Sequence, residues 1–383
     1  MPHSLRFLAV FKTVALLMIV TGFTINVKAQ NIYSISGNVK DDGGNLPGAT
    51  VYINGSKLIT ACDNAGNYQF NKLSPGTYGV VVKMVGFAAS AKSITIKGGA
   101  VRLDFKLQAS SKVLGEVVIR AETNWEDHYQ IFKKHFLGTT PNAEYCKIVN
   151  PKILYFHFDK ATQVLSGSAD EFLVIDNQAL GYQIKYLLTN FEYNEQTNVL
   201  TYQGYPSFKE LTPKSDKEAK NWDKNRELAY RGSILHFMRA LYTGDVYTNG
   251  YEIYKVINKP LPGHEPDPKK PVYFDRRPVV MDSLVSVADE GLKTLTFKDA
   301  LFVLNVKERE SAPLGGSGYK IEKPVGYKIP NGQMSTVSLL DSSVTIDING
   351  NYSDPAGLLF EGYMAWEQVA DMIPLEYGKI TAK

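Results

Sequence analysis

The chain predicts a mainly β protein: a small N-terminal β-sandwich followed by a larger antiparallel-sheet domain with a few helices, an α+β second half. Three observations carry this. Between residues 30 and 108, short alternating runs are cut at close intervals by Pro-Gly, Asn-Gly and Gly-aromatic turns. The 23 tyrosines and 18 phenylalanines suit pleated, aromatic-faced sheets. Helical periodicity, in contrast, is confined to a few segments after residue 122.

Residues 1–29 read as a cleavable export signal. Arg6 and Lys12 supply positive charge, Val14-Ala15-Leu16-Leu17-Met18-Ile19-Val20 an apolar stretch, and Val27-Lys28-Ala29 small residues for cleavage before Gln30. The apolar run falls short of the ~20 residues that span a bilayer. No cysteine stands near the cleavage point to take a lipid, and no later segment is apolar enough for a transmembrane helix. The chain is therefore expected to be exported; the resemblance given below implies the periplasm, outer membrane or surface of a Gram-negative cell. The formal charge of +3 with no Lys/Arg run argues against a nucleic-acid partner. Cys62 and Cys146 fall in different predicted domains and read as separate buried thiols.

In the first domain, residues 32–39 alternate as a strand and Asp41-Asp42-Gly43-Gly44 turns the chain. Leu46-Pro47-Gly48-Ala49 leads into the strand 50–53, which ends at Asn54-Gly55, a hairpin signal because both residues tolerate positive φ. Asp63-Asn64-Ala65-Gly66 precedes Asn67-Tyr68-Gln69-Phe70, and Leu73-Ser74-Pro75-Gly76-Thr77-Tyr78 feeds the strand 79–85, closed by Gly86-Phe87. Strands near 91–96 and 101–107 bring the count to about seven, a sandwich number.

These segments, in this order, resemble the carboxypeptidase regulatory-like domain, a transthyretin-like sandwich, over roughly residues 32–108. In that family the domain accompanies catalytic domains or precedes outer-membrane transporters and is not itself the peptidase. The usual Gly-Thr-x-x-Gly turn is altered here to Gly55-Ser56-Lys57-Leu58-Ile59. Within the following linker strand, 109–122, Leu114, Glu116, Val117, Val118 and Ile119 are similar to the segment by which TonB-dependent transporters dock an energising partner through β-addition. A transporter barrel needs many ~10-residue membrane strands, and the remaining chain is too short for a plug and a barrel. The segment therefore reads as a strand completing the sheet or as a docking strand.

The second domain, 123–383, opens on a helix. Thr123-Asn124 caps it, Trp125, Tyr129, Phe132 and Phe136 share one face, and Gly138 stops it. Strands come next at 153–158, 164–168, 172–175, 182–191 and 199–205, an antiparallel meander. Ser215-Asp216-Lys217-Glu218 is a capping box, predicting a helix to about Tyr242 that bends at Gly232-Ser233. On it Trp222, Ala229, Phe237 and Ala240 form a stripe, with Asn225, Arg226, Ser233 and His236 within ~60°. Polar groups on a buried face need partners, so these four are the candidate polar cluster, tying helix to sheet or lining a ligand pocket. Residues 251–257 read as a strand, 258–271 as an exposed loop, 295–297 and 301–306 as strands, 337–340 and 344–348 as a hairpin, and 364–372 as a terminal helix. Residues 124–377 resemble the C-terminal region of uncharacterised envelope proteins that pair it with the same sandwich, on Asn225-Arg226-Glu227-Leu228-Ala229-Tyr230-Arg231-Gly232-Ser233, the adjoining His236-Phe237-Met238-Arg239-Ala240-Leu241, and the Trp366-Glu367 and Leu375-Glu376-Tyr377 segments. That resemblance brings no active site with it.

Catalytic signatures are weak. No histidine has Glu three positions later, and His264-Glu265 lacks a second His. Gly315-Gly316-Ser317-Gly318-Tyr319 misses the last glycine of a serine-hydrolase elbow. Ser233 and His236 stand three apart with no acid or oxyanion motif, and no Gly-rich phosphate loop occurs. Paired glycosidase carboxylates would be invisible in sequence. The expectation is a non-enzymatic envelope protein that binds or scaffolds a protein or glycan, without cofactor, metal or catalytic residue. The alternatives are a hydrolase carrying an accessory sandwich, and an accessory partner of a TonB-dependent outer-membrane transporter.

Overall fold

The computed structural model describes residues 33–110, 124–288, 291–319, 321, 323, 328 and 330–378. The export signal and the docking strand Leu114, Glu116, Val117, Val118 and Ile119 lie outside them.

The chain is mainly β, in several antiparallel sheets with few helices. β1 (Tyr33–Lys40) alternates buried and half-buried residues, as a strand with one face on a core must. It pairs antiparallel with β4 (Asn67–Leu73). The facing sheet runs β3 (Ile59–Ala61), β2 (Thr50–Ile53), β5 (Gly76–Lys83), β6 (Ser90–Ile96). Ile35, Val39, Val51, Val80, Val82 and Ile96 fill the space between the sheets. The expected last strand is split into β7 (Val101–Arg102) and β8 (Phe105–Lys106), both parallel to β1, so the described residues of the sandwich hold eight strand segments. Between them the Leu103 carbonyl sits against Gly37, where a Cβ would lie 1.9 Å from it, and accepts the Tyr68 hydroxyl at 2.6 Å.

The next layer is a six-stranded sheet. β9 (Cys146–Ile148), β10 (Leu154–Asp159), β11 (Val164–Ala169), β12 (Leu173–Asn177), β13 (Tyr182–Asn194) and β14 (Val199–Glu210) surround the long β13, which β14 flanks along its whole length. Helix α1 (Trp125–Leu137) lies on this sheet through Phe132 and Phe136, whose rings meet Phe191 at 4.8 Å and Tyr186 at 5.0 Å. Asn124 occupies its N-cap without a side-chain hydrogen bond, and Gly138 ends it at φ 93°.

Two helices come next in place of the single bent one expected: α2 (Asp216–Tyr230) and α3 (Ile234–Thr243). Gly232 takes φ 87°, and a Cβ there would lie 1.9 Å from Gln333 Oε1. Ser233 then starts a fresh helix, its Oγ accepting the His236 N–H. Ser215 caps α2 by accepting the Glu218 N–H, as its capping-box pattern predicts.

Beyond them lies a five-stranded antiparallel sheet. It comprises β15 (Tyr251–Ile257), β16 (Tyr273–Asp275), β19 (Ala300–Asn305), β20 (Gln333–Leu339) and β22 (Leu358–Gly362). A three-stranded sheet of β17 (Val285–Val287), β18 (Leu292–Leu295) and β21 (Val344–Asp347) accompanies it. The expected 337–348 hairpin does not form, because β20 is held between β19 and β22 while β21 pairs with β18. The terminal helix is likewise shorter than expected: α4 (Tyr363–Trp366), then a 3-10 turn at Val369–Asp371.

Backbone hydrogen bonds sew the sandwich to the second half of the chain. Gly55 N–H donates to the Pro206 carbonyl at 2.8 Å, Phe208 N–H to the Ser56 carbonyl at 2.9 Å, and Leu375 N–H to the Gly55 carbonyl at 2.8 Å. The β2–β3 turn thus continues the edge of β14, with Ser56 bridging Ser207. Buried Asp347 accepts the Thr77 N–H at 2.7 Å, and Tyr52, Val81 and Leu187 close an apolar seam with Phe172. Tyr33–Lys383 is accordingly one compact unit. No helix among the described residues is long and apolar enough to cross a membrane.

Candidate functional site

The four polar residues singled out on α2 and α3 do not form one cluster; they divide into two groups with different partners. Asn225 Nδ2 donates to the Ala179 carbonyl at 2.9 Å. Arg226 Nε donates to Leu180 O at 2.7 Å, and its Nη2 to Gly181 O at 3.3 Å. Trp222 Nε1 donates to Gln178 O at 2.8 Å. One face of α2 therefore satisfies four consecutive carbonyls of the β12–β13 turn, with the Arg226 guanidinium 4.2 Å from the centre of the Tyr182 ring. These bonds tie α2 to the β12–β13 turn.

Ser233 and His236 belong to a different place. Ser233 Oγ donates to Tyr230 O at 2.7 Å while capping α3. Gly232 N–H donates to His236 Nδ1 at 3.2 Å, so that nitrogen is an acceptor and the proton sits on Nε2, which donates to Asn249 Oδ1 at 3.0 Å. The Tyr251 hydroxyl, 3.0 Å from Nδ1, donates to it as well. Burial lowers the His236 pKa, with the Asn249 bond acting the other way, so the ring is neutral at pH 7.

His236 forms part of the wall of an open cavity of about 600 Å³ with Tyr230, Arg231, Asn249, Asn305 and Lys307. Glu227, Glu308 and Tyr377 complete its polar rim. Arg231 Nε bonds Glu227 at 2.7 Å, its Nη1 stands 3.5 Å from Glu308, and Lys307 Nζ donates to Thr248 O at 2.5 Å. The Tyr377 hydroxyl donates to Glu227 at 3.1 Å, and burial followed by that carboxylate pushes its pKa up to about 12. The Tyr230 and Tyr377 rings meet edge to face at 5.5 Å. Such a surface offers hydrogen-bonding edges and aromatic faces, with two carboxylates and two cations among its lining.

Arg239 braces two of the cavity's lining residues, Tyr230 and Tyr377, and was not among the polar residues singled out in the sequence. It is 1% exposed, and its guanidinium donates to Asn349 O at 3.1 Å, Tyr377 O at 2.6 Å and Leu375 O at 2.7 Å. It thereby ties α3, the turn after β21 and the C-terminal segment together. The same segment reaches the sandwich through Leu375 and through Glu376, which accepts the Lys57 N–H.

A second, smaller concavity of about 260 Å³ is mostly apolar, with Tyr202, Phe208, Ile234 and Met364 among its walls and Glu367 and Asp371 at one side. Burial pushes the Asp371 carboxyl up to about 6 against its bonds from Thr140 and Asn142. Burial, and then Asp371, raise Glu367 well above the usual carboxylate range. Cys62 and Cys146 are unpaired and buried, and burial pushes their thiols up to about 11 and about 12.

Residues 35–119 match the CarboxypepD_reg-like domain family, in agreement with the resemblance read from the turn motifs. No curated protein matches the chain. Among solved structures, catechol 1,2-dioxygenase from Acinetobacter sp. is similar at 14% identity, over 25% of this chain and 59% of that one, with a TM-score of 0.20. The enzyme of the same name from Pseudomonas arvilla gives 12% identity, 24% and 57% coverage, and 0.20. A DUF3823 family protein from Parabacteroides merdae gives 8% identity, 46% and 80% coverage, and 0.18. The chain spans less than two thirds of the length of either dioxygenase. At these TM-scores the likenesses support no functional conclusion.

Proposed function

We propose that this chain is an exported cell-envelope protein that binds a ligand without transforming it, its sandwich serving as a docked scaffold and the His236 cavity as the binding face. One observation carries this reading: the groups the sequence offers for chemistry are committed to the fold. His236 uses both ring nitrogens internally, accepting from Gly232 and Tyr251 and donating to Asn249. Ser233 spends its hydroxyl on a helix cap and the Tyr230 carbonyl. The two thiols are buried and held protonated. A nucleophile–base pair needs a free lone pair on the base aimed at the nucleophile, and here the ring nitrogen that could accept is already filled.

Export is part of this proposal and rests on the leader pattern of residues 1–29, and the Gram-negative envelope rests on the resemblance to domains that precede outer-membrane transporters. The experiment is to purify residues 30–383 and screen peptides, neutral glycans and chromogenic esters for both melting-temperature shift and turnover, with zinc content measured in parallel. A ligand present at 100 times its Kd raises stability by about 2.7 kcal/mol, a visible shift, and no turnover accompanies it. Turnover abolished by Ser233→Ala or His236→Ala with folding intact, or stoichiometric zinc, would establish the hydrolase alternative instead.

A further inference from the structure

We infer that the His236 cavity takes a neutral, polyhydroxylated ligand, a saccharide, and that Asn305 donates the hydrogen bond that orients it. The inference rests on the binding reading above and narrows it to one chemical class.

The charges lining the cavity sum to zero, Glu227 and Glu308 against Arg231 and Lys307. Arg231 is shared by Glu227 and Glu308, and Lys307 is held by the Thr248 carbonyl. A neutral ligand leaves these contacts standing, whereas a charged one competes with the ion pairs around Arg231. Aromatic faces beside amides and hydroxyls instead fit a sugar, whose rings present C–H faces and whose rims present hydroxyls. The cavity volume of about 600 Å³ lies within the ~300–1,000 Å³ typical of small-molecule sites.

Asn305 gives the second, independent observation. It ends β19, is 2% exposed and lines the cavity. Its Oδ1 accepts the Lys307 N–H at 3.1 Å, which fixes which way the amide faces. Its Nδ2 then finds no acceptor among the described residues. Directly across the ladder stands Gln333, also buried, whose Oε1 finds no donor among them. Residues opposite one another on antiparallel strands share a face of the sheet, so an unused donor and an unused acceptor lie side by side. Leaving such groups unsatisfied costs roughly 1–3 kcal/mol each. Of the two, Asn305 lines the cavity, and a ligand hydroxyl oxygen there would accept from its amide.

The test is calorimetric titration of residues 30–383 with glucose, galactose, mannose, N-acetylglucosamine, maltose and cellobiose. Glucuronate, glucosamine and a neutral tripeptide serve as contrasting probes. At least one neutral sugar binds, the charged analogues bind at least 10-fold more weakly, and both Asn305→Ala and Asn305→Asp weaken the sugar at least 10-fold, the aspartate keeping an oxygen for the Lys307 N–H while losing the donor. An amide serving only the fold would leave sugar affinity unchanged in the variants that fold. Should Asn305→Ala fail to fold, hydrogen exchange on the unaltered protein must localise sugar protection to residues 305–308 and 377–378. Binding of the tripeptide or of charged probes alone overturns the saccharide and leaves the binding protein standing. Sugar binding indifferent to Asn305→Ala, or protected elsewhere, overturns the site. Silence from every probe overturns both.

Discussion

Replacing Arg239 by methionine tests the clasp that braces Tyr230 and Tyr377. The guanidinium is almost wholly buried, and its three principal acceptors are backbone carbonyls, those of Asn349, Leu375 and Tyr377. Methionine fills much of the same volume but donates nothing, so three carbonyls lose their donor at once. At about 1–3 kcal/mol for each acceptor left dry, the gross loss is about 3–9 kcal/mol. Relief of a buried cation returns several kcal/mol of that. We expect a net destabilisation of about 2–4 kcal/mol, and roughly half of it for Arg239→Lys, whose single ammonium lacks the planar fork needed to reach all three. Urea denaturation read by linear extrapolation measures it, with the m-value showing whether the unfolding transition keeps its size. Because Leu375 also holds Gly55, amide exchange should rise at residues 375–378 and at the 54–58 turn before global unfolding. A change below about 0.5 kcal/mol with unaltered exchange at both places would refute the clasp.

Three further outcomes are expected on the same physical grounds. The folded-state pKa of Asp371 is about 6, against about 3.9 unfolded, so the native state holds the extra proton between them. The Asp371 contribution to stability is thus fully present below about pH 4 and is lost as pH rises through about 6; Glu367, shifted the same way, extends the loss. Asp371→Asn should make that slope shallower in urea melts at pH 4 to 7, and an identical slope would count against it. Gly181 sits at φ +67°, and a Cβ there would lie 2.3 Å from the Trp222 ring. Gly181→Ala should therefore cost more than the ~1–2 kcal/mol of left-handed strain alone and shift Trp222 fluorescence; a melting temperature within 1–2 °C of the parent contradicts it. With thiols at about 11 and about 12, Cys62 and Cys146 should resist a disulfide reagent at pH 8 and both react in urea. Rapid native labelling of either would mean that its burial is transient.

How much of the fold was legible in the sequence varied with the range of the interaction. The Asn54-Gly55 turn, the Ser215 capping box and the apolar stripe of α1 each depend on residues within a few positions, and each appears where its motif stands. The sequence marked Gly232-Ser233 as a bend in one helix, but that the chain stops there and starts a new helix depends on Gly232 taking φ 87° and on Ser233 capping α3. The false hairpin at 337–348 has a related origin. Two short apolar runs separated by a turn look alike whether they pair with each other or with outside strands, and β20 and β21 chose β19, β22 and β18.

The candidate site shows the same division. The chemistry-bearing side chains of α2 and α3 were visible as polar residues beside an apolar stripe, yet their separation into a sheet clamp and a cavity wall depends on which carbonyls meet them. Arg239 left no trace, since its partners are main-chain oxygens that every residue carries. Asn305 and Gln333 became informative only through register, when two strands placed an unused donor opposite an unused acceptor. By itself the amino-acid order determined strands, turns, caps and the sandwich family, because backbone dihedrals and side-chain alternation are set by near neighbours. Sheet order, the junction through Gly55 and the cavity were decided only in three dimensions, where burial removes water and obliges each polar group to find whichever partner the fold brings near.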